Sequence, residues 1–310
     1  MDLQPLFRRF HDAIHLKQYG ENAELREKRD RVLRRLHENL KISFEWFNQG
    51  SYEMGTGIKP IKEDYDIDIG IVFTIDHARY DPVEVKRWVY KAVEGHTKLV
   101  KWRRPCITVY YQHEREPIYH VDLAILAKDQ TSGRMRLAIG KEYSALNERE
   151  WQEDDRQGFM KAVEQRLTGE DGFQLRRVIR YLKRWKDVHF SSEGHAAPTG
   201  LALTAAAHRW FQPARTYDSG YSDLAATISL VQSIGQGFRP TWDPTLGTVQ
   251  RLSLQFPNAP YDDVFAKMSN QQMKEFYERV EKLLGWLDHA RRQQTPDMLR
   301  HAFGTDFPQQ

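Results

Sequence analysis

Asp66-Ile67-Asp68 opens the apolar run Ile69-Gly70-Ile71-Val72-Phe73, and Gln49-Gly50-Ser51 stands fifteen residues upstream of the first acid. A strand alternates its side chains, so residues two apart share a face. Asp66 and Asp68 are therefore expected on one face, with Ile67, Ile69, Ile71 and Phe73 on the other. Two adjacent carboxylates repel each other unless a cation sits between them. Hard oxygen donors on a rigid strand suit magnesium, which keeps part of its shell for substrate phosphates. Gly50-Ser51 can turn backbone N–H groups and a hydroxyl toward a triphosphate. A third acid, Asp122, sits inside the apolar segment Tyr119–Leu126. There a carboxylate is costly unless it is paired or bound to metal. The set reads as a metal-dependent nucleotidyl-transfer site. A D-x-D alone is common at solvated strand edges; the buried run, the upstream Gly-Ser and Asp122 favour chemistry. Asp64 shares the phase of Asp66 and Asp68, so the pattern leaves open which two of the three bind metal.

Regular elements must position these residues. Leu6, Phe7, Phe10, Ala13 and Ile14 repeat at helical spacing, and Gly20 breaks the pattern. Leu25, Val32, Leu33, Leu36 and Leu40 resume it as one apolar stripe on a long polar helix. Ile42–Phe47 reads as a strand leading into Gln49-Gly50-Ser51. Asp81-Pro82 opens a helix carrying Val85, Trp88, Val89, Ala92 and Val93. Cys106–Tyr111, Tyr119–Leu126 and Met135–Ile139 read as strands. After Trp151 helical periodicity dominates: Phe159–Leu167, Leu175–Trp185 and Leu201–Phe211, then Val264–Met268, Gln271–Ala290 and Pro296–Phe303. The stretches 212–222 and 235–247 read as loops, and Leu252–Phe256 as extended. The expected fold class is α+β: a mixed sheet with helices, then a mainly helical part, bilobal with a central nucleotide cleft. The expected division is 1–150 for the catalytic lobe with its long N-terminal helix and 151–310 for the helical lobe.

Composition narrows the function. With 310 residues, 40% of them hydrophobic and 29% charged, the chain is an ordinary soluble globular protein. No stretch is apolar enough to span a bilayer, and Met1–Pro5 shows no export signal, so the cytoplasm is the expected compartment. The single cysteine, Cys106, rules out an intrachain disulfide and a cysteine-based zinc site. A net charge of +3 falls short of the basic stripe that holds duplex DNA. Lys101-Trp102-Arg103-Arg104 is the sharpest basic cluster and reads as a solvated turn. No obligatory nucleic-acid activator is expected. His113-Glu114 and His120 lack the spacing of a zinc protease, His189, His195 and His208 are scattered, and Ser191-Ser192 has no base partner.

Gln49-Gly50-Ser51, Asp66-Ile67-Asp68 and Asp122 on a later strand resemble the polymerase-β-like nucleotidyltransferases. The flanking stretches 50–60 and 64–70, with Val178-Ile-Arg-Tyr-Leu-Lys-Arg-Trp downstream, are similar to the bacterial cGAS/DncV-like nucleotidyltransferases (CD-NTases), the oligonucleotide cyclases of CBASS anti-phage operons. The resemblance implies that Gln49, Gly50 and Ser51 touch the donor triphosphate. It implies that Asp66 and Asp68 bind both magnesium ions (Mg2+, with Mn2+ as a substitute) and that Asp122 completes the metal at the attacking hydroxyl. Lys183 falls where relatives place a lysine on the triphosphate, and Thr199 where relatives often carry a serine. Glu63 and Asp64 depart from the single acid of relatives and receive no metal role. ATP or other nucleoside triphosphates are the implied substrates. The implied partners are an operon-encoded regulatory protein and an effector that binds the product.

The expected activity is thus a cyclic oligonucleotide synthase of anti-phage defence. One rival is an RNA- or protein-modifying nucleotidyltransferase, disfavoured by the weak positive charge. A second is a catalytically silent nucleotide-binding module, disfavoured by the complete acid set.

Overall fold

The computed structural model describes residues 2–16, 21–62, 64–112, 118–191, 197–216 and 220–309. Gly20, Glu63, His113, Glu114, Ser192 and His195, all named above, lie outside them. In chain order the elements are α1 (Gln4–Ile14), α2 (Glu21–Asn39), β1 (Glu45–Gln49), a single turn α3 (Gly50–Glu53), β2 (Asp64–Phe73), α4 (Pro82–Val93), β3 (Leu99–Trp102), β4 (Ile107–Tyr111), β5 (Ile118–Lys128), β6 (Met135–Ile139), a 3-10 turn at Leu146–Glu148, β7 (Glu150–Asp154), α5 (Arg156–Gln165), α6 (Gly169–His189), α7 (Gly200–Trp210), α8 (Asp223–Gly237), β8 (Arg239–Asp243), β9 (Gly247–Arg251), α9 (Asn270–Gln293) and α10 (Asp297–Phe303). The fold class is α+β, as the sequence pattern indicates.

Two compact units share the chain. One is Leu16–Met54 with Lys59–Met160; the other is Met1–His15, Gly55–Ile58 and Lys161–Gln310. The division at 150/151 therefore differs from the packing. The N-terminal helix α1 belongs with the C-terminal residues, because its apolar stripe is completed there. Phe7 packs edge-on against Tyr181, Phe303 and Phe307, and Phe10 stacks on Tyr181 and lies tilted against Phe303 and Phe307, with ring centroids 5.0–6.3 Å apart. Beneath them the Asp223 carboxylate is fully buried and takes two hydrogen bonds from Arg177, at 2.7 and 2.9 Å, and one from the Tyr181 hydroxyl at 2.9 Å. That hydroxyl lies 3.1 Å from the Phe7 carbonyl. A buried carboxylate is tolerated only with such a complete set of partners.

In the other unit, among the described residues, seven strands form one sheet, with the path β1-β2-β5-β4-β3 and β6 and β7 continuing from β5. β2 and β5 are parallel; the remaining pairs are antiparallel. Between β2 and β5 the chain passes through α4, which starts where Asp81 accepts hydrogen bonds from the N–H groups of Val83 and Glu84. One face of the sheet is dry. Ile67, Ile69, Ile71, Phe73, Val109, Val121, Leu123 and Ile125 pack there with the stripe Leu25, Val32, Leu33 and Leu36 of α2 and with Val85, Val89 and Val93 of α4. The opposite face carries a smaller apolar patch of Val72, Ala124, Leu126, Leu137 and Ile139, with Phe47 and Met135 against it.

Several expectations are corrected. α8 fills 223–237, where no helix was expected, because small polar residues such as Thr227, Ser229 and Ser233 are interspersed among its apolar ones and leave no clean stripe. The β8–β9 hairpin crosses the stretch read as a loop at 235–247. Val264–Met268 forms turns where a helix was expected. Lys101 and Trp102 belong to edge strand β3, where a solvated turn was read, and β7 was not foreseen. Edge strands are short and charged, so their periodicity is weak. β1 begins at Glu45, three residues later than read, and runs to Gln49.

Candidate active site

The strand register assembles the acids. Gln49 pairs with Asp68, Asp68 with Asp122, and Asp122 with Thr108. Register partners point to the same face. One polar row, Gln49–Asp68–Asp122–Thr108, therefore crosses four strands. The next row is Asp66–His120–Tyr110. Both rows lie on the face opposite the α2 and α4 core. The parallel β2–β5 pair is what brings Asp68 beside an acid 54 positions later in the sequence.

Gly50 serves this row by lacking a side chain. It has φ +70°, in the left-handed region, and a Cβ there would stand 2.1 Å from Asp68 Oδ2. Backbone conformation and space each demand glycine. Gln49 is buried and its Oε1 has no hydrogen-bond partner; Ser51 is half-buried in the turn of α3. Further along the same face, Gly70 makes room for the Phe47 ring, which a Cβ would meet at 2.5 Å.

The donor set fits a hard cation. Asp66 is exposed and Asp68 half-buried. Asp122 Oδ1 is buried with no hydrogen-bond partner. A buried carboxylate oxygen left in that way is costly, and a divalent ion removes the cost. Among the described residues no three Asp, Glu, His or Cys groups close around one point by themselves. Carboxylates in an open row suit magnesium, which retains several water or substrate oxygens.

Lys183 and Thr199 lie in the other unit. Lys183 is buried, and its ammonium donates to the Thr56 carbonyl at 3.1 Å and to Thr56 Oγ1 at 3.0 Å. Arg180, one helical turn earlier, donates to the carbonyls of Gly55 and Gly57. Two cations of α6 thus take three consecutive carbonyls of the segment that follows Gly50-Ser51. Thr199 accepts from the Ala202 N–H and caps α7. Thr56 and Arg180 were missed by the sequence reading. The Gly55-Thr56-Gly57 triplet and the i, i+3 spacing of Arg180 and Lys183 carried the signal.

His120 was set aside as lacking the spacing of a zinc protease, yet it stands on the acid face. Its ring sits 5.3 Å from that of Tyr110, and the Tyr110 hydroxyl accepts a hydrogen bond from Arg103. Cys106 is buried, and burial pushes its thiol up to about 11, so it is inert.

A Gly-Ser turn beside a carboxylate row on a mixed sheet is the architecture of a nucleotidyltransferase. Residues 44–126 match the nucleotidyltransferase domain of the family described as cyclic GMP-AMP synthase DncV-like. The chain has the fold of the bacterial CD-NTases. It superposes on the Bradyrhizobium diazoefficiens CD-NTase CdnG in complex with GTP with a TM-score of 0.75 at 16% identity, covering 98% of this chain and 95% of that one. With E. coli MS115-1 CdnC bearing ATP the TM-score is 0.67 at 16% identity, covering 99% of both chains. With the Vibrio cholerae DncV cyclic AMP-GMP synthase it is 0.61 at 18% identity, covering 86% of this chain and 70% of that one. In sequence, a cyclic GMP-AMP synthase of Escherichia albertii is 26% identical over 195 residues, 57% of this chain and 40% of that relative. The chain thus spans less than half of that relative's length. Among the described residues no helix is long and apolar enough to cross a membrane.

Proposed function

We propose that the chain is a magnesium-dependent nucleotidyltransferase that condenses nucleoside triphosphates into a cyclic di- or trinucleotide second messenger in anti-phage defence. The observation that carries this reading is the pairing of Asp68 with Asp122 across β2–β5, with Gly50 clearing the space beside Asp68. The related folds hold GTP in CdnG and ATP in CdnC, which supports nucleoside triphosphates as substrates.

Asp66, Asp68 and Asp122 are the oxygen donors that would hold magnesium. When bound, the ion supplies charge neutralisation at the transferring phosphoryl group and activates the attacking hydroxyl. The chain's own part is positioning. Gly50 keeps the backbone close enough for a triphosphate to approach Asp68. Ser51 offers a hydroxyl, and Lys183 a point charge, to the leaving phosphates. A ribose hydroxyl of one nucleotide displaces pyrophosphate from the next, and the same step, repeated until every nucleotide is joined, closes the ring with one pyrophosphate released per bond.

CdnC is seen in complex with HORMA-deltaN, which supports an operon-encoded regulatory protein as a partner here. A downstream effector would read the product. The mildly basic chain supports synthesis without a DNA or RNA activator. An RNA- or protein-modifying transferase and a silent nucleotide-binding module are the rivals.

The test is incubation with mixed nucleoside triphosphates and Mg2+, phosphatase treatment and mass spectrometry, with and without duplex DNA, RNA and tRNA. A phosphatase-resistant product formed without nucleic acid is expected. A product that requires tRNA favours the first rival. ATP binding without turnover favours the second.

A further inference from the structure

The sheet divides Lys101-Trp102-Arg103-Arg104, the sharpest basic cluster of the chain. Lys101 pairs with Thr108 across β3–β4. The acid row therefore runs one strand further, as Gln49–Asp68–Asp122–Thr108–Lys101, and Lys101 ends it at the edge of the sheet. Trp102 and Arg104 are engaged elsewhere: the Trp102 indole donates to the Gly140 carbonyl at 3.0 Å, and Arg104 pairs with Glu150 at 3.3 Å. Arg103 comes back to the acid face. Its guanidinium donates to the Tyr110 hydroxyl and lies 5.9 Å from the centre of that ring, while the Lys101 ammonium lies 5.0 Å from it.

The two cations are held in place but not neutralised. Tyr110 is only 9% exposed and gives both of them one fixed platform. The buried Lys86 ammonium fixes the turn beneath, donating to the Arg103 and Arg104 carbonyls at 2.7 and 2.8 Å. The Arg103 N–H donates to the Cys106 carbonyl at 2.9 Å. Lys101 and Arg103 are themselves exposed, and among the described residues neither forms an ion pair. A planar guanidinium fork and an ammonium point charge on one platform suit phosphate oxygens.

Position along the row says whose phosphates these are. Gln49, next to the Gly50-Ser51 turn read as meeting the donor triphosphate, is at the other end. With neighbouring strands 4.7–4.9 Å apart, Lys101 stands roughly 19 Å from Gln49 and roughly 10 Å from Asp122. The second distance is one that a ribose and its 5′-phosphates can span when the hydroxyl is at Asp122. The nucleotide that attacks keeps its own triphosphate while pyrophosphate leaves the donor, so these phosphates need a separate place.

We infer that Lys101 and Arg103, seated on Tyr110, hold the 5′-phosphates of the nucleotide that supplies the attacking hydroxyl, and so select a phosphorylated acceptor. The inference rests on the reading of Asp122 as the acid at that hydroxyl. Exposed cations suit the task, because at ring closure this triphosphate is the one that reacts and must leave for the Gly50-Ser51 end.

The test uses the full chain with Mg2+ and a dideoxynucleoside triphosphate, which can only donate. Acceptors that cannot donate are offered in turn: an α,β-methylene nucleoside triphosphate and the matching nucleoside, for each common base. Mass spectrometry measures the linear dinucleotide. The wild type should prefer the triphosphate acceptor by about 10-fold or more in kcat/KM, the scale of charged hydrogen bonds. The double variant Lys101→Met, Arg103→Met should lose most of that preference. Tyr110→Phe, which removes the hydroxyl that Arg103 holds, should lose a smaller part, and Arg103→Lys should retain part through its charge. A merely structural role would lower both acceptors together, so an unchanged ratio in the double variant would overturn the inference. So would a wild type indifferent to the acceptor's phosphates. Stimulation by duplex DNA or RNA that the double variant loses would assign the pair to a polynucleotide and likewise overturn it. If the wild type joins no acceptor to the donor, the function reading fails and the inference with it; if product forms with the ratio unchanged, only the inference falls.

Discussion

Asp68 and Asp122 face one another across the parallel pair β2–β5, joined in register although 54 residues separate them in the chain. Each opens toward the same side of the sheet, and the strands beneath them are locked by the isoleucine and valine core. The distance between the two carboxylates is thus governed by the backbone, which cannot drift without breaking the ladder. That rigidity suits the metal-dependent chemistry proposed for the site.

Neutralising either acid should abolish turnover and leave the fold intact. Asp68→Asn and Asp122→Asn are each expected to lower kcat by at least about 100–1000-fold, the scale of losing a positioned electrostatic group. The melting temperature should hold or rise, because a repulsive pair has been relieved. Product yield and thermal melts measure both. Near-normal turnover in Asp122→Asn would remove it from the site.

Gly50→Ala addresses the space beside Asp68. A left-handed alanine costs about 1–2 kcal/mol, and its Cβ would collide with Asp68 Oδ2. The expected result is a fall in kcat far larger than the loss of stability alone explains. A mutant that is destabilised yet fully active would mean that Asp68 is not needed in its observed place.

Lys183 is bonded to Thr56, so two roles must be separated. Thr56→Val removes the hydroxyl acceptor and should cost about 1 kcal/mol of stability with a small change in nucleotide KM. Lys183→Met and Ser51→Ala should raise KM or lower kcat, by less than the acid mutants, since other groups share the phosphates. Equal stability losses in Lys183→Met and Thr56→Val, with kinetics untouched, would confine Lys183 to holding the 55–58 segment.

Stability should depend on pH through His11. Burial, reinforced by the Arg180 guanidinium 3.2 Å from Nε2, takes this imidazole down to about 4 from its usual 6.5. Between those values the unfolded chain binds a proton that the folded chain refuses. Stability is therefore full above about pH 6.5 and falls as pH drops toward 4. With partial exposure the loss is on the order of 1–2 kcal/mol. His11→Gln keeps an acceptor for Arg180 and cannot titrate. Its melting temperature should fall less than that of the wild type between pH 7 and 4.5, and parallel curves would count against the assignment.

The chain itself carries the signal for the proposed chemistry. The alternation in Asp66–Phe73 placed the acids on one face, and the pairing of Gly50 with Ser51 marked the turn, because both are local consequences of strand and glycine geometry. The helical stripes of α1, α2, α6 and α9 were equally legible. What the sequence left open needed long-range pairing. Asp64, Asp66 and Asp68 are equivalent in phase; only the β2–β5 register sets Asp68 against Asp122 and Asp64 near His120. The N-terminal helix could not be assigned to a unit until Phe7 and Phe10 met Tyr181 and Phe303. Lys86 makes the same point. It looks like a surface residue of α4, yet it is fully buried, with its ammonium donating to the carbonyls of Arg103, Arg104 and Gly140 at 2.7–2.8 Å. Those three carbonyls come from two separate connections, and no local pattern announces where they converge. Local periodicity fixes which side a residue faces; only the closed tertiary structure decides which distant residue it meets there.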